Sequence, residues 1–126
     1  MEAFSSQLSL PAFLQAHPEQ GRLRVQVSSG GGTFPVAGAR VVVFRLFGGL
    51  AHPFYQGSTD ISGLATDITL PALPPEPSQS AEQAERSGTD YLVTVEHPLF
   101  VSLTEQPVTV FARIETILPV LLEPTT

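Results

Sequence analysis

The chain has 126 residues, a formal net charge of −6, no cysteine, and six basic residues that are all arginine. That length suits one domain with a core of ordinary size, and the missing cysteines exclude disulfides and thiolate chemistry. An acidic surface with scattered arginines repels phosphate backbones and anionic lipid, which makes nucleic acid and membrane surfaces poor partners. Lysine and asparagine are also absent, so Lys–Asn isopeptide staples and N-linked glycans are excluded.

Residues 1–20 read as an arm ahead of the domain. Glu2 stands where a secretory signal carries a basic residue, and Gln7, Ser9 and Pro11 interrupt any apolar run. No Sec-type export signal is read, and the expected location is cytoplasmic or spore-associated. No run approaches the ~20 apolar residues that span a bilayer. Ser9 is placed to cap a short helix with Pro11 in its first turn. Leu10, Phe13 and Leu14 then share one face, and Pro18 ends the helix. Such an arm packs on its own domain or docks on a partner; on the second reading Phe4, Phe13 and Leu14 are the contacts.

From residue 21 to 124 the period changes to two. "GRLRVQVS" sets Leu23, Val25 and Val27 against polar residues, as in a half-buried strand. "ARVVVFRLF" buries Ala39, Val41 and Val43 on one face, while Val42 and Phe44 make the other face apolar too, which predicts a central strand. "GGLAHP" breaks it, and "FYQGST" and "LATDITL" follow as two short strands joined by "DISG". In that turn Asp60 accepts from nearby backbone N–H groups and Gly63 takes positive φ. The expected result is a hairpin with Leu64, Thr66, Ile68 and Leu70 inward and Asp67 facing water. "PALPPEPSQSAEQAERSG" reads as a long exposed loop with at most one helical turn. Tyr91, Val93 and Val95 alternate inward, and so do Val108, Val110 and Ala112. "TILPVLLEP" closes the domain, with Pro119 confining it to an edge or a kinked position. About seven short strands with almost no helix predict an all-β sandwich.

The succession "GRLRVQV", "VAGARVVVF", "GSTDISGLATDITLP", "DYLVTVEHPLF" and "VTVF…ILPVLLEP" resembles the carboxypeptidase regulatory-like family, which has the transthyretin-like (prealbumin-like) sandwich fold. Within that family it is similar to the N-terminal domain of bacterial spore cortex-lytic enzyme precursors and to small stand-alone relatives in Firmicutes. The resemblance implies an accessory region attached to a catalytic part. It does not imply one function, because the fold serves transport, hydrolysis, adhesion and scaffolding.

The chemical signatures are sparse. A calcium loop needs several more oxygen ligands than Asp60 and Asp67 supply, since Ile61, Leu64 and Ala65 occupy ligand positions. His17, His52 and His97 each precede a proline and no pair has ligand spacing, so no metal and no cofactor is expected. No serine sits in a nucleophile elbow, and nothing groups Asp60, Asp67 and Glu96 as glycosidase chemistry requires. The prealbumin-fold enzyme 5-hydroxyisourate hydrolase carries a Tyr-Arg-Gly-Ser terminus, whereas this chain reads "LLEPTT"; a cleft holding two histidines and an arginine would be its mark. The expectation is therefore a non-catalytic binding or assembly module, working as a homo-oligomer or with a protein partner. The alternative is a recognition domain for peptidoglycan or another glycan. In "HPFYQ" alternation turns either Phe54 or Tyr55 outward as a contact, and free sheet edges invite pairing with another chain.

Overall fold

A computed structural model describes residues 9–74 and 88–125. Phe4 and residues 75–87, including the expected helical turn in "SAEQAER", lie outside them. The described chain is a sandwich of two four-stranded sheets with one short helix, α1 (Leu10–Ala16). The strands are β1 (Glu19–Ser29), β2 (Phe34–Pro35), β3 (Arg40–Phe47), β4 (Leu50–Ser58), β5 (Leu64–Ala72), β6 (Thr89–Glu96), β7 (Leu103–Val110) and β8 (Glu115–Leu121). In the first sheet β1 lies between β5 and β8, with β2 pairing its last two residues. The second sheet runs β4-β3-β6-β7, all antiparallel. β8 is parallel to β1, which no hairpin can achieve, so everything between them serves as the crossover.

Period-two alternation builds the core. Leu23, Val25 and Val27 from β1 meet Val41 and Val43 from β3, Tyr91, Val93 and Val95 from β6, and Val110 from β7, all buried. Such side chains interdigitate between two sheets stacked about 10 Å apart. β3 is central, as its two apolar faces predict. Its hairpin to β4 turns on Gly48 and Gly49, both at positive φ, so the break is two residues long and β4 resumes at Leu50.

The "DISG" segment is not a hairpin. β4 and β5 belong to different sheets, and the turn carries the chain across the sandwich edge. The expected inward set of β5 also shifts. Ala65 is buried in place of Leu64 and Thr66, and then Ile68, Leu70 and Ala72 are buried. Asp67 adopts φ 62° inside the strand, and the β1 register slips there between Leu23 and Val25. This bulge inserts one residue and reverses the alternation, leaving Asp67 exposed.

The helix packs on its own domain. Ser9 Oγ accepts from Ala12 N at 3.3 Å as the N-cap, with Pro11 in the first turn. Of its apolar face only Phe13 is wholly buried, while Leu14 is 45% exposed. Seven residues form a marginal helix alone, so tertiary contact through Phe13 must hold it.

Candidate functional site

Two ends and one outer face carry the side chains that chemistry or recognition could use. At the helix end Phe13 sits in an aromatic knot. Its ring stacks on His17 at 4.0 Å and meets Phe47, Phe54 and Tyr91 edge-on or tilted at 5.4, 5.8 and 6.4 Å. The Arg45 guanidinium lies 4.6 Å from its centroid, a cation–π contact. Phe13 is therefore a core residue and not a partner contact. Periodicity placed it on an apolar helix face, but it gave no sign of what that face covers.

Phe54 and Tyr55 are also corrected. Both are half-buried against the core, because the β3–β4 register slips between Val43, opposite Tyr55, and Phe44, opposite Pro53. The bulge at Phe54 cancels the alternation that would have turned one ring outward.

Two histidines and an arginine do gather at this end, but Phe13 stands among them. Its ring is 4.0 Å from His17 and 4.6 Å from Arg45, and His52 packs on Phe54 at 4.9 Å. The three flank a buried plug, the Phe13 ring. Burial lowers the pKa of His17, the Nδ1–H bond to the Phe13 carbonyl at 2.7 Å opposes the shift, and Arg45 adds to it. Burial likewise lowers Arg45, opposed by Tyr91 and Asp90. The Tyr91 hydroxyl is pushed far up by burial and donates to the Pro71 carbonyl, tying the sheets together. Among the described residues no three His, Asp or Glu side chains converge as a metal set.

The opposite, loop end is held by polar bonds. Asp60 Oδ1 accepts from Ser62 N at 2.9 Å and Leu64 N at 3.0 Å, while the Asp60 carbonyl accepts from Gly63 N at 2.9 Å. Gly63 takes φ 76°, and a Cβ there would collide with the Val27 carbonyl oxygen. Thr59, which the sequence did not single out, is buried. Its hydroxyl donates to the Val36 carbonyl at 2.6 Å and accepts from Ala39 N at 2.9 Å. Only its place just before a turn-forming Asp hinted at this role.

With its backbone satisfied in this way, the loop end displays apolar side chains. Ile61 is 88% exposed, Leu99 67% and Phe34 63%, and Val101 and Leu121 are exposed as well. Backbone bonds hold them in two groups: Val101 N donates to the Glu123 carbonyl at 2.8 Å on the β8 side of β1, and Val27 N to the Gly63 carbonyl at 2.7 Å on the β5 side.

The outer face of β4-β3-β6 carries the third feature, a shallow trough with two lobes of about 280 and 380 Å³ that share Arg40 and Glu96. Val42 and Phe44 lie on its floor, flanked in register by Gln56 and Thr94. The sequence showed the apolar floor but not the polar walls, because Arg40 and Glu96 meet only through cross-strand pairing.

The sheet edges are guarded. β4, β5, β7 and β8 carry Pro53, Pro71, Pro107 and Pro119, and the short β2 carries Pro35, whereas β1, β3 and β6 contain none. A proline cannot donate to a ladder and is tolerated at edges, where it hinders pairing with another chain.

No protein-family model matches the chain, and no curated protein does. Among solved structures it is similar to the Bacillus anthracis TIE protein, with 15% sequence identity and a TM-score of 0.57. The match covers 84% of this chain and 17% of that one. At that identity the likeness concerns the fold alone.

Proposed function

We propose that this chain is a non-catalytic module of the prealbumin-like, carboxypeptidase regulatory-like kind, which associates with protein through its loop end, in the first instance with a second copy of itself. One observation carries the reading: Leu99, Val101 and Leu121 are exposed on hydrogen-bonded neighbouring segments of the end whose backbone is tied down by Thr59, Asp60 and Gly63, and Phe34 and Ile61 are exposed across that same end. Exposed apolar side chains held on neighbouring segments mark contact surfaces more than free ones. A two-fold pairing of identical ends satisfies it without an open series of contacts.

Two further points support a module. The match to the Bacillus anthracis TIE protein covers only 17% of that chain, so a similar architecture occurs there as a small part of something larger. The resemblance to spore cortex-lytic enzyme precursors favours an accessory role beside spore or envelope proteins. The proline-bearing edges argue that contact runs through side chains of the loop end and not through added strands.

Sedimentation velocity over a concentration series tests it. The wild type should associate at roughly tens of micromolar, and a Leu99→Ser/Val101→Ser variant should stay monomeric with an unchanged melting temperature. A monomeric wild type over that range would overturn the reading.

A further inference from the structure

The geometry points to a second binding surface, the outer trough of β4-β3-β6, and to a neutral glycan chain as its occupant. The inference does not rest on the loop-end contact, since the trough floor lies on the sheet face. The walls offer a mixture of donors and acceptors and no net charge. Arg40 and Glu96 stand opposite each other in register, so neither an anion nor a cation is selected by charge. Arg40 Nη2 donates to Gln56 Oε1 at 3.2 Å, which leaves the Gln56 amide N–H₂ as a fixed donor. His97 Nδ1 accepts from Leu99 N at 3.2 Å, which leaves Nε2 as the ring's N–H donor.

Sugar hydroxyls, each both donor and acceptor, match planar side chains of this mixture, and Val42 and Phe44 offer an apolar floor to the C–H face of a ring. A peptide fits less well. Extended peptides take most of their affinity from main-chain bonds along a free edge, and the adjacent edge strand β4 carries Pro53 and a bulge at that point. An open trough also suits one stretch of a polymer better than a small metabolite, which pockets generally enclose.

Amide chemical shifts of the full chain, titrated separately with chitotetraose, cellotetraose and maltotetraose, test the proposal. At least one should give saturable shifts centred on Val42, Phe44, Thr94 and Glu96, with weak affinity because a shallow site buries little surface. Gln56→Ala and Arg40→Ala, both surface changes, should each weaken that binding about tenfold while the remaining spectrum stays dispersed. No saturable shift with any of the three sugars would overturn the assignment. So would shifts confined to Phe34, Ile61 and Leu121, which lie outside the trough, or variants that bind as well as the wild type. Loop-end self-association is read separately by sedimentation, so either result can fail alone.

Discussion

The two ends of the sandwich are closed by different physics. At the helix end a fully buried ring, Phe13, fills the space between the sheets, with Phe47, Phe54 and Tyr91 around it. At the loop end the closure is made of hydrogen bonds from Thr59, Asp60 and the Gly63 backbone. Apolar closure consumes apolar side chains, whereas polar closure leaves them free to be displayed. The end sealed by Phe13 is thus a stability element, and the end sealed by hydroxyl, carboxylate and peptide groups can serve contact.

The largest expected effect breaks the first closure. Phe13→Ala removes a buried aromatic that helix α1 depends on, at a cost of about 3–5 kcal/mol; urea denaturation should show a lower midpoint, and faster amide exchange in residues 10–16 should accompany it. The second closure should be less costly to break. Gly63→Ala sets a Cβ against the Val27 carbonyl at φ 76°, and strain of this kind costs on the order of 1–3 kcal/mol. The same denaturation series should rank the two. A reversed order would mean that the polar crossing, and not the aromatic knot, is the stronger closure.

The sequence revealed these closures unequally, for local and non-local reasons. Inner faces such as Leu23, Val25, Val27 and Tyr91, Val93, Val95 were legible because strand alternation is a property of neighbours. The Asp60–Gly63 geometry was legible for the same reason, since an Asx-type turn lies within a few residues. Which strands the turn joins was not, because sheet membership depends on partners far along the chain. Bulges were the other blind spot. Asp67 and Phe54 each shift the alternation by one, and nothing in "LATDITL" or "HPFYQ" announces an extra residue. Two misreadings follow from those two positions: Leu64 and Thr66 as an inward pair, and one outward ring from Phe54 or Tyr55. The trough escaped for the remaining reason, since Arg40 and Glu96 are adjacent only through the β3–β6 register.

Acid should distinguish the ends without a mutation. His17 stacks on Phe13, and its pKa in the fold lies below the ordinary histidine value, chiefly through burial, with the Phe13 carbonyl opposing and Arg45 adding. The folded chain therefore holds fewer protons on His17 than the unfolded chain. The stabilisation is present above about pH 6.5 and is lost as pH falls through the folded value. Exchange in α1 should rise over that range, while the Gly63 crossing should not share a His17-dependent step. His17→Gln should flatten the α1 response, and an unchanged response would assign the transition to another group.

The smallest effect on stability is expected at the sheet edge, where it bears on the proposal that contact runs through the loop end. Arg22 N donates to the Ile114 carbonyl at 3.0 Å and Leu122 N to the Ser28 carbonyl at 2.8 Å. Even-numbered residues of β8 therefore point their backbone groups at β1, and odd-numbered ones point theirs away. Pro119 occupies an outward slot, so its missing N–H weakens no bond within the fold and interrupts the free edge between Ile117 and Leu121. Pro119→Thr should leave stability within about 0.5 kcal/mol while restoring the edge donor. In a Leu99→Ser/Val101→Ser background, which removes the proposed loop-end contact, new association by sedimentation velocity would then report edge pairing alone. A variant that remains monomeric would mean that Pro119 is not what guards β8, and that the exposed face of Ile117 and Leu121 is insufficient to recruit a strand even when the ladder is open.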